Sequence, residues 1–199
     1  ANTIAGVAVG GLPDGIVDAD TLASNSVETA KIATEAVVAG KIGNGGIIQV
    51  VSAAKTDAWS QTTSSTTVYD VTGLSVSITP NSSSNKILIL ATVNFFGDST
   101  GSAILLRRGT SSEIFIGDGS SNRGRATSHV YTGNDAYTTA APIMYLDSPA
   151  TTSATTYKIS IQEVDGGGNP IYINQPGSTN DVANRVRTPS FITALEVVA

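Results

Sequence analysis

Residues 87–96 read Ile-Leu-Ile-Leu-Ala-Thr-Val-Asn-Phe-Phe, and this stretch decides the fold. It is the longest dense apolar run of the chain, and it is far shorter than the roughly 20 residues that a membrane-spanning helix needs. Its continuous hydrophobicity is typical of a strand that is covered on both faces. A turn-forming cluster, Asn81-Ser82-Ser83-Ser84-Asn85, precedes it. The stretch therefore predicts a central, buried β-strand.

Short β-rich runs surround this strand and are separated by clusters of Gly, Asn, Ser, Thr and Asp. Residues 74–78 and 157–161 alternate apolar and polar side chains, as half-buried strands do. The other predicted strands are 47–53, 66–71, 102–108, 113–116, 126–131, 141–146, 170–174 and 191–198. Helix signals are nearly absent after residue 46. The pattern predicts an all-β domain, a jelly-roll-like β-sandwich.

The N-terminal quarter carries a different signal, an apolar series with a fixed spacing of five residues. Its members are Leu12, Val17, Leu22, Val27, Ile32, Val37, Ile42 and Ile47. On an α-helix five residues advance about 140° beyond a full turn, so these side chains would spiral around the axis. A single copy has too little apolar material to bury the series. Three copies wound together would bury it along a common axis, so the series predicts a trimeric stalk.

Two other conformations of this segment stay open. Good helix formers between Ser26 and Gly43 allow a continuous helix over residues 27–42, and one short turn per ten residues is also compatible with the spacing. Gly43-Asn44-Gly45-Gly46 would end such a helix and marks the boundary between two segments. We therefore divide the chain into a stalk or trimerisation segment, 1–45, and a β-sandwich head, 46–199.

Composition excludes several classes of function. Charged residues make up 14% of the chain and the net charge is −5, without a Lys/Arg run, so nucleic acid is not an expected partner. The chain has no Cys and one His, which excludes disulfides, thiolate metal sites and a histidine metal cluster within one chain. No phosphate-binding loop or nucleophile elbow occurs. We expect no cofactor, no metal, no membrane insertion and no enzymatic activity.

Long polar loops on the predicted scaffold are the candidate ligand sites, because recognition residues are commonly found on such loops. Sugars bind to aromatic faces and to planar amide, carboxylate and guanidinium groups, which these loops contain. The candidates are Trp59 in a polar loop, Tyr131, Asn134 and Tyr137 in a second, Asp118, Asn122, Arg123 and Arg125 in a third, and Asn180, Asp181 and Asn184 in a fourth.

Structural roles compete with these assignments. Each aromatic side chain would also fit burial against the sandwich or at a subunit interface. His129 fits an ordinary place on a strand, with a subunit interface as the alternative. A polysaccharide-cleaving site would need a pair of carboxylates. The available ones, Asp118, Asp135, Asp165 and Asp181, all stand beside Gly or Asn, and turn formation accounts for them.

Several stretches resemble one protein family. The repeat that places Ser26-Val27 and Lys31-Ile32 in register is similar to repeats of bacteriophage tail fibres. The stretches similar to C-terminal domains of such fibres in marine and cyanobacterial phages are Tyr69 to Pro80, Ser83 to Ile89, Tyr145 to Pro149, Tyr157 to Ile159 and Phe191 to Val197. The resemblance covers most of the chain, and its motifs are mostly of the fold-determining kind.

The resemblance implies a protein of the virion surface. The expected function is that of a homotrimeric tail fibre, whose head recognises a host-surface receptor, most simply a polysaccharide, without catalysis. The alternative is a head-fibre or capsid-cement trimer that binds other virion proteins. A fibre should expose its loops at the tip, whereas a cement protein should present an apolar patch to the shell.

Overall fold

The computed structural model describes residues 32, 36, 37, 41–63, 67–98, 100–129, 131–165, 168–178 and 180–199. Among these residues the fold is all-β, and no helix is long and apolar enough to cross a membrane. The chain separates into two compact units, residues 1–41 and 42–199. The second unit contains every strand described below.

Eleven strands form two sheets. They are β1 (Ile47–Lys55), β2 (Trp59–Thr62), β3 (Tyr69–Ile78), β4 (Lys86–Gly97), β5 (Ser102–Arg108), β6 (Ser112–Ile114), β7 (Ser128–His129), β8 (Thr139–Asp147), β9 (Thr155–Glu163), β10 (Pro170–Ile173) and β11 (Ser190–Val197).

The six-stranded sheet is built around β4, the strand that residues 87–96 predicted. One edge of β4 pairs with β8, and the other pairs first with β11 and then with β10. β1 lies beyond β11 and β2 lies beyond β10, and all these pairings are antiparallel. The central position of β4 is confirmed. Only alternate residues of the strand are fully buried, however, so one of its faces is partly open.

The second sheet has five strands, in the order β3-β9-β5-β6, with β7 pairing the same edge of β5 as β6 does. The register of β3 with β9 shifts between Asp70 and Ser75, and Gly73 has a φ of 88° there. This bulge turns Val71 and Leu74, three positions apart, toward the same core. The two strands predicted at 66–71 and 74–78 are therefore a single strand with a bulge.

The inner faces of the two sheets enclose one hydrophobic core. β4, β8 and β11 supply one side of it, and β3, β5 and β9 supply the other. The largest fully buried core side chains include Phe95, Leu74, Ile87, Ile104 and Tyr157. Burial of about 25 cal/mol for each Å² of apolar surface is the main force that holds such layers together.

A polar bridge joins the sheets beside this core. Arg108 on β5 donates to both carboxylate oxygens of Asp147 on β8, at 3.0 and 2.8 Å. The Tyr157 hydroxyl on β9 donates to the same carboxylate at 2.6 Å. Burial, together with this hydrogen bond, raises the pKa of Tyr157 far above its ordinary value. Burial opposes the charge of Arg108, but the Asp147 carboxylate outweighs it and raises the pKa of the guanidinium.

We name the two ends of the sandwich after the two ends of β4. At the Lys86 end, the Gly45 N–H donates to the Val198 carbonyl at 2.7 Å, and the Val198 N–H donates to Gly46 at 2.9 Å. The segment that leads into β1 is thus fixed to the C-terminal strand at this end. At the Gly97 end, β4 turns into β5, and β8 and β10 begin or end.

Several sequence-based assignments need correction or fall outside the description. Trp59 was expected in a polar loop but begins β2. Of the strand predicted at 126–131, the described residues that form a strand are Ser128–His129, and Val130 lies outside the description. Of the apolar series, Leu12, Val17, Leu22 and Val27 lie outside the described residues. Ile32 and Val37 are exposed, and neither is helical. The proposed helix over 27–42 is otherwise outside the description. Ile42 is half-buried, and Ile47 is the first residue of β1.

Candidate functional site

Three of the four candidate loops lie at the Gly97 end of the sandwich. The Gly97 N–H donates to Thr132 Oγ1 at 3.4 Å, which attaches the loop of Tyr131 and Tyr137 to this end. The Ser178 N–H donates to the Asp135 carbonyl at 2.9 Å, which joins that loop to the one that follows β10. The loop that follows β6 reaches the turn between β4 and β5 through Thr100. Non-local strand pairing thus gathers segments that are far apart in sequence.

The first cleft has a volume of about 490 Å³ and lies over the loop that follows β6. It is lined by Thr100, Gly117, Asp118, Ser120, Arg123, Gly124, Arg125, Ala126, His129 and Val164. Three predicted residues, Asp118, Arg123 and Arg125, are therefore brought to one cleft. Asn122 is exposed in the turn that the Arg123 N–H and the Ser120 carbonyl close at 3.0 Å.

Internal hydrogen bonds fix the shape of this loop. Arg125 Nε donates to the Gly117 carbonyl at 2.6 Å, and the Gly117 N–H donates to Ala126 at 3.3 Å. Gly124 lies against Val164, since a Cβ at this position would fall 2.8 Å from the Val164 Cβ. A side chain at position 124 would therefore push the loop away from the sheet. The cleft is preformed by the backbone, which lowers the entropy lost when a ligand binds.

His129 belongs to this cleft as well as to a strand. It is the second residue of β7, its side chain is exposed, and its Nε2 is hydrogen-bonded to the Thr100 carbonyl. The prediction that it lies on a strand is confirmed. The local sequence did not indicate that His129 lies beside Asp118 and Arg123, because the pairing of β7 with β5 brings it there.

The second cleft has a volume of about 500 Å³ and is formed by the loop between β10 and β11. Its lining residues are Gln175, Pro176, Ser178, Asn180, Asp181, Val182, Arg185 and Arg187. Of the three predicted residues of this loop, Asn180 and Asp181 line it. Asn184 is exposed nearby. Among the described residues, Arg185 Nε is a buried atom without a hydrogen-bond partner, and it belongs to a side chain of this cleft.

Two exposed tyrosines lie on the neighbouring loop, which the hydrogen bond between Ser178 and Asp135 joins to the loop of the second cleft. Tyr131 is 55% exposed and Tyr137 is 63% exposed, so neither is buried against the sandwich. The other structural alternative, a subunit interface, stays a prediction. The Ala136 N–H donates to Asn134 Oδ1 at 2.9 Å, which closes a tight turn between the tyrosines. Asn134 therefore shapes the loop with its side-chain oxygen.

Trp59 is not part of this group. It pairs with Ile173 in the six-stranded sheet, it is half-buried, and it packs against the hydrophobic core. Alternation in the short segment Trp59–Thr62 is the signal that would have indicated a strand. Packing against the hydrophobic core, the structural alternative, therefore accounts for Trp59.

The chemistry of the two clefts suits recognition of polar, uncharged or weakly charged groups. Each combines one carboxylate with two arginines: Asp118 with Arg123 and Arg125, and Asp181 with Arg185 and Arg187. Asp118 and Asp181 line different clefts, so they do not form a pair around one ligand. Within the described part of the chain no group of three His, Cys, Asp or Glu side chains could hold a metal ion.

Sequence reasoning missed several lining residues. Arg185 and Arg187 follow Asn184 in the same loop, and their spacing of two in an otherwise weakly charged chain was the available signal. No local signal in the sequence indicated Thr100 and Val164, because the pairing of β5 with β9 brings them to the first cleft.

Comparisons with known proteins assign no family to this chain: no protein-family model matches it, and no curated protein gives a significant match.

Proposed function

We propose that this protein is a homotrimeric fibre subunit of a virion, with a jelly-roll head that binds a host-surface polysaccharide and does not cleave it. The observation that carries the proposal is the separation of the two ends of the head. The chain leads into β1 at the Lys86 end, whereas the two polar clefts described above and both exposed tyrosines lie at the Gly97 end. A smaller cleft of about 330 Å³, between Arg108 and Thr155, lies at the Lys86 end and contains none of the predicted ligand residues. A fibre needs this polarity, since attachment and recognition must occur at opposite ends.

The strand pairing supports the jelly roll. β1 pairs with β11, β3 with β9, β4 with β8, and β5 with β6 and β7. These pairs are nested within one another along the chain, which is the arrangement that results when one long antiparallel hairpin is rolled into two sheets. β2 and β10 are an addition that extends the six-stranded sheet at the Gly97 end.

The chemistry at the Gly97 end supports a carbohydrate ligand. Planar guanidinium and carboxylate groups donate to and accept from adjacent sugar hydroxyls, and an exposed tyrosine ring covers the C–H side of a sugar. Shallow polar sites of this kind bind weakly, and we expect about 0.1–1 mM for one head. Several heads on one particle would convert this into firm attachment through effective concentration.

A glycan array probed with the purified trimer tests the proposal, followed by incubation with extracted host polysaccharide and analysis of chain length. We expect binding to a subset of glycans and unchanged polysaccharide length. Shortened chains would identify a depolymerase instead.

The second candidate, a head-fibre or capsid-cement trimer, is favoured by one specific observation. The outer face of the six-stranded sheet exposes large apolar side chains, among them Met144 and Leu146. An apolar patch is what a protein docked on a viral shell would present. Electron microscopy of virions with an antibody against the head separates the two candidates, because the label lies on the tail in one case and on the capsid in the other.

A further inference from the structure

The outer face of the six-stranded sheet is apolar over four adjacent strands, β8, β4, β11 and β1. We call this surface the apolar sheet face. Its most exposed members are Met144 (71%), Val50 (56%), Ile47 (50%), Leu146 (46%) and Phe191 (40%). Leu88, Leu90, Leu195 and Val197 on the same side are partly exposed.

The register of the strands aligns these side chains into continuous rows. Leu146 lies opposite Leu88, Leu88 opposite Leu195, and Leu195 opposite Val50, so one row of aliphatic side chains crosses four strands. The neighbouring rows are Met144, Leu90, Thr193 and Ser52, and then Pro142, Thr92, Phe191 and Ala54. None of these side chains is charged. Neighbouring residues on one face of a sheet pack as a unit, so the rows form a single patch.

The other sheet has no comparable surface among its described strands. On the outer face of β3 and β9, Asp70 accepts hydrogen bonds from Lys158 and Ser160, at 2.6 and 2.7 Å, and the neighbouring positions Ser75 and Ser77 are polar. The apolar side chains on that side of β5, Ala103 and Leu105, are fully buried, so the described strands of this sheet present no exposed aliphatic rows. Exposed aliphatic rows on one outer face indicate a protein partner on that side.

We infer that the occupant of the apolar sheet face is a second copy of this chain, and that three such faces meet around the axis of the trimer. The inference rests on the proposed homotrimer and names the surface that forms it. The first argument is continuity. Ile47, the last member of the five-residue apolar series, lies opposite Val197 on this face. A symmetry axis that passes beside Ile47 would therefore also bring three copies of this face together.

The second argument is charge. Identical surfaces that meet around a symmetry axis place like charges against one another. The three rows above carry no charge, and the row at the edge of the face, Lys86, Val197 and Ile47, carries a single lysine, so this repulsion is small. The third is area. Four strands about 4.8 Å apart and three rows about 7 Å apart cover roughly 300 Å² in projection. A standard interface buries about 800 Å² of accessible surface on each partner. The patch is thus suited to act together with the N-terminal series.

The face also ends where the ligand loops begin. Farther along β4, Phe96 is covered by the loop of the second cleft, which lies against it at Gly177. The three copies would pack toward the Lys86 end, and both clefts would remain open to ligand at the Gly97 end.

Thiol labelling tests the inference, because the chain has no native cysteine. Single-cysteine variants Met144→Cys and Leu146→Cys report on the apolar sheet face, and Ser75→Cys on the polar outer face of the other sheet is the matched control. Light scattering on the same samples should return three times 20.2 kDa. We expect both face cysteines to react with a maleimide at least tenfold more slowly than the control. Met144→Glu should lower the trimer fraction at equal concentration, and Ser75→Glu should not.

Each outcome decides between occupants. A trimer whose face cysteines react as fast as the control overturns the inference and leaves the fibre proposal intact, which glycan binding then tests separately. A monomer with protected cysteines would mean that another segment of the same chain covers the face, and a monomer with reactive cysteines that binds isolated capsids would mean a shell protein. Both results overturn the inference.

Discussion

Gly177 lies against the ring of Phe96 so closely that a Cβ at position 177 would fall 2.3 Å from the Phe96 Cε1. Phe96 is itself buried and packs against Tyr172 with ring centroids 5.9 Å apart. This contact holds the loop of the second cleft onto the end of the six-stranded sheet. The position of Asn180, Asp181 and the two arginines therefore depends on the absence of one methyl group.

Gly177→Ala is expected to displace this loop and to weaken glycan binding more than it weakens the fold. Inserting a methyl group into a packed contact costs about 1–3 kcal/mol, part of which the loop can relieve by moving. Isothermal calorimetry and urea unfolding measure the two effects. Gly168→Ala is the matched control, because no atom lies within 4 Å of its added Cβ. If Gly177→Ala and Gly168→Ala change glycan binding equally, the contact between Gly177 and Phe96 does not position the loop.

Glu196→Ala is expected to destabilise the head strongly. The buried Glu196 carboxylate accepts from the Asn81 N–H at 2.6 Å, from Asn81 Nδ2 at 3.2 Å and from Asn85 Nδ2 at 2.6 Å, and so holds the turn before β4. A buried donor left without its acceptor costs about 1–3 kcal/mol. Glu113→Ala on the exposed β6 is the control for urea unfolding. A midpoint for Glu196→Ala equal to that of the control would mean that water replaces the carboxylate.

Tyr157→Phe is expected to make stability less sensitive to alkaline pH. The pKa of Tyr157 is raised in the folded state, so its contribution is complete below the ordinary value of 10.0 and declines as the pH rises above it. At neutral pH the lost hydrogen bond to Asp147 should cost about 1.5–3 kcal/mol. Thermal unfolding from pH 7 to 11 measures both effects. If Tyr137→Phe, which alters an exposed ring, gives the same pH profile, the assignment to Tyr157 is wrong.

Asp70→Asn is expected to remove part of the loss of stability in acid. Burial opposes the charged form of Asp70, but hydrogen bonds from Lys158 and Ser160 outweigh it and hold the pKa below the ordinary value of 3.8. The contribution of Asp70 to the free energy of unfolding is therefore present above pH 3.8 and is lost as the pH falls below that value. Because the side chain is 48% exposed, the effect should be only about 0.2–1 kcal/mol. Unfolding from pH 2 to 6, with Asp98→Asn as control, measures it. If the stability of Asp70→Asn falls as steeply with decreasing pH as that of Asp98→Asn, the Asp70 carboxylate does not contribute to the loss of stability in acid.

Tyr137→Ala and Tyr131→Ala are each expected to reduce glycan binding by up to about tenfold, because an aromatic stacking contact contributes about 0.5–1.5 kcal/mol. Tyr137→Phe and Tyr131→Phe retain the ring and should retain most of the affinity. Calorimetry with a glycan from the array measures the losses. Full affinity in both alanine variants would exclude these rings from the binding site.

Local pattern predicted the strands well where apolar residues formed long runs. The run at 87–96 identified the central strand, and the turn clusters located most of the remaining boundaries. The prediction from local pattern was wrong at Trp59, whose strand is only four residues long. It was also wrong at the bulge of β3, where Gly73 joins two predicted strands into one. Short elements depend on the partner that they pair with, and the local sequence does not identify that partner.

By itself, the sequence determined the class of the fold, the loops rich in polar residues and the weakly charged surface, because each of these follows from composition and from local periodicity. Only the tertiary structure decided which loops share a cleft, that Tyr131 and Tyr137 are exposed, that Glu196 is buried beneath a turn, and which face of the central strand is open. Over residues 87–91 the run is apolar on both of its faces, and only Thr92 and Asn94 mark the face that is left partly open, which is too short a signal to identify that face. Strand register and sheet stacking make that choice, and both are set by contacts between residues far apart in the chain.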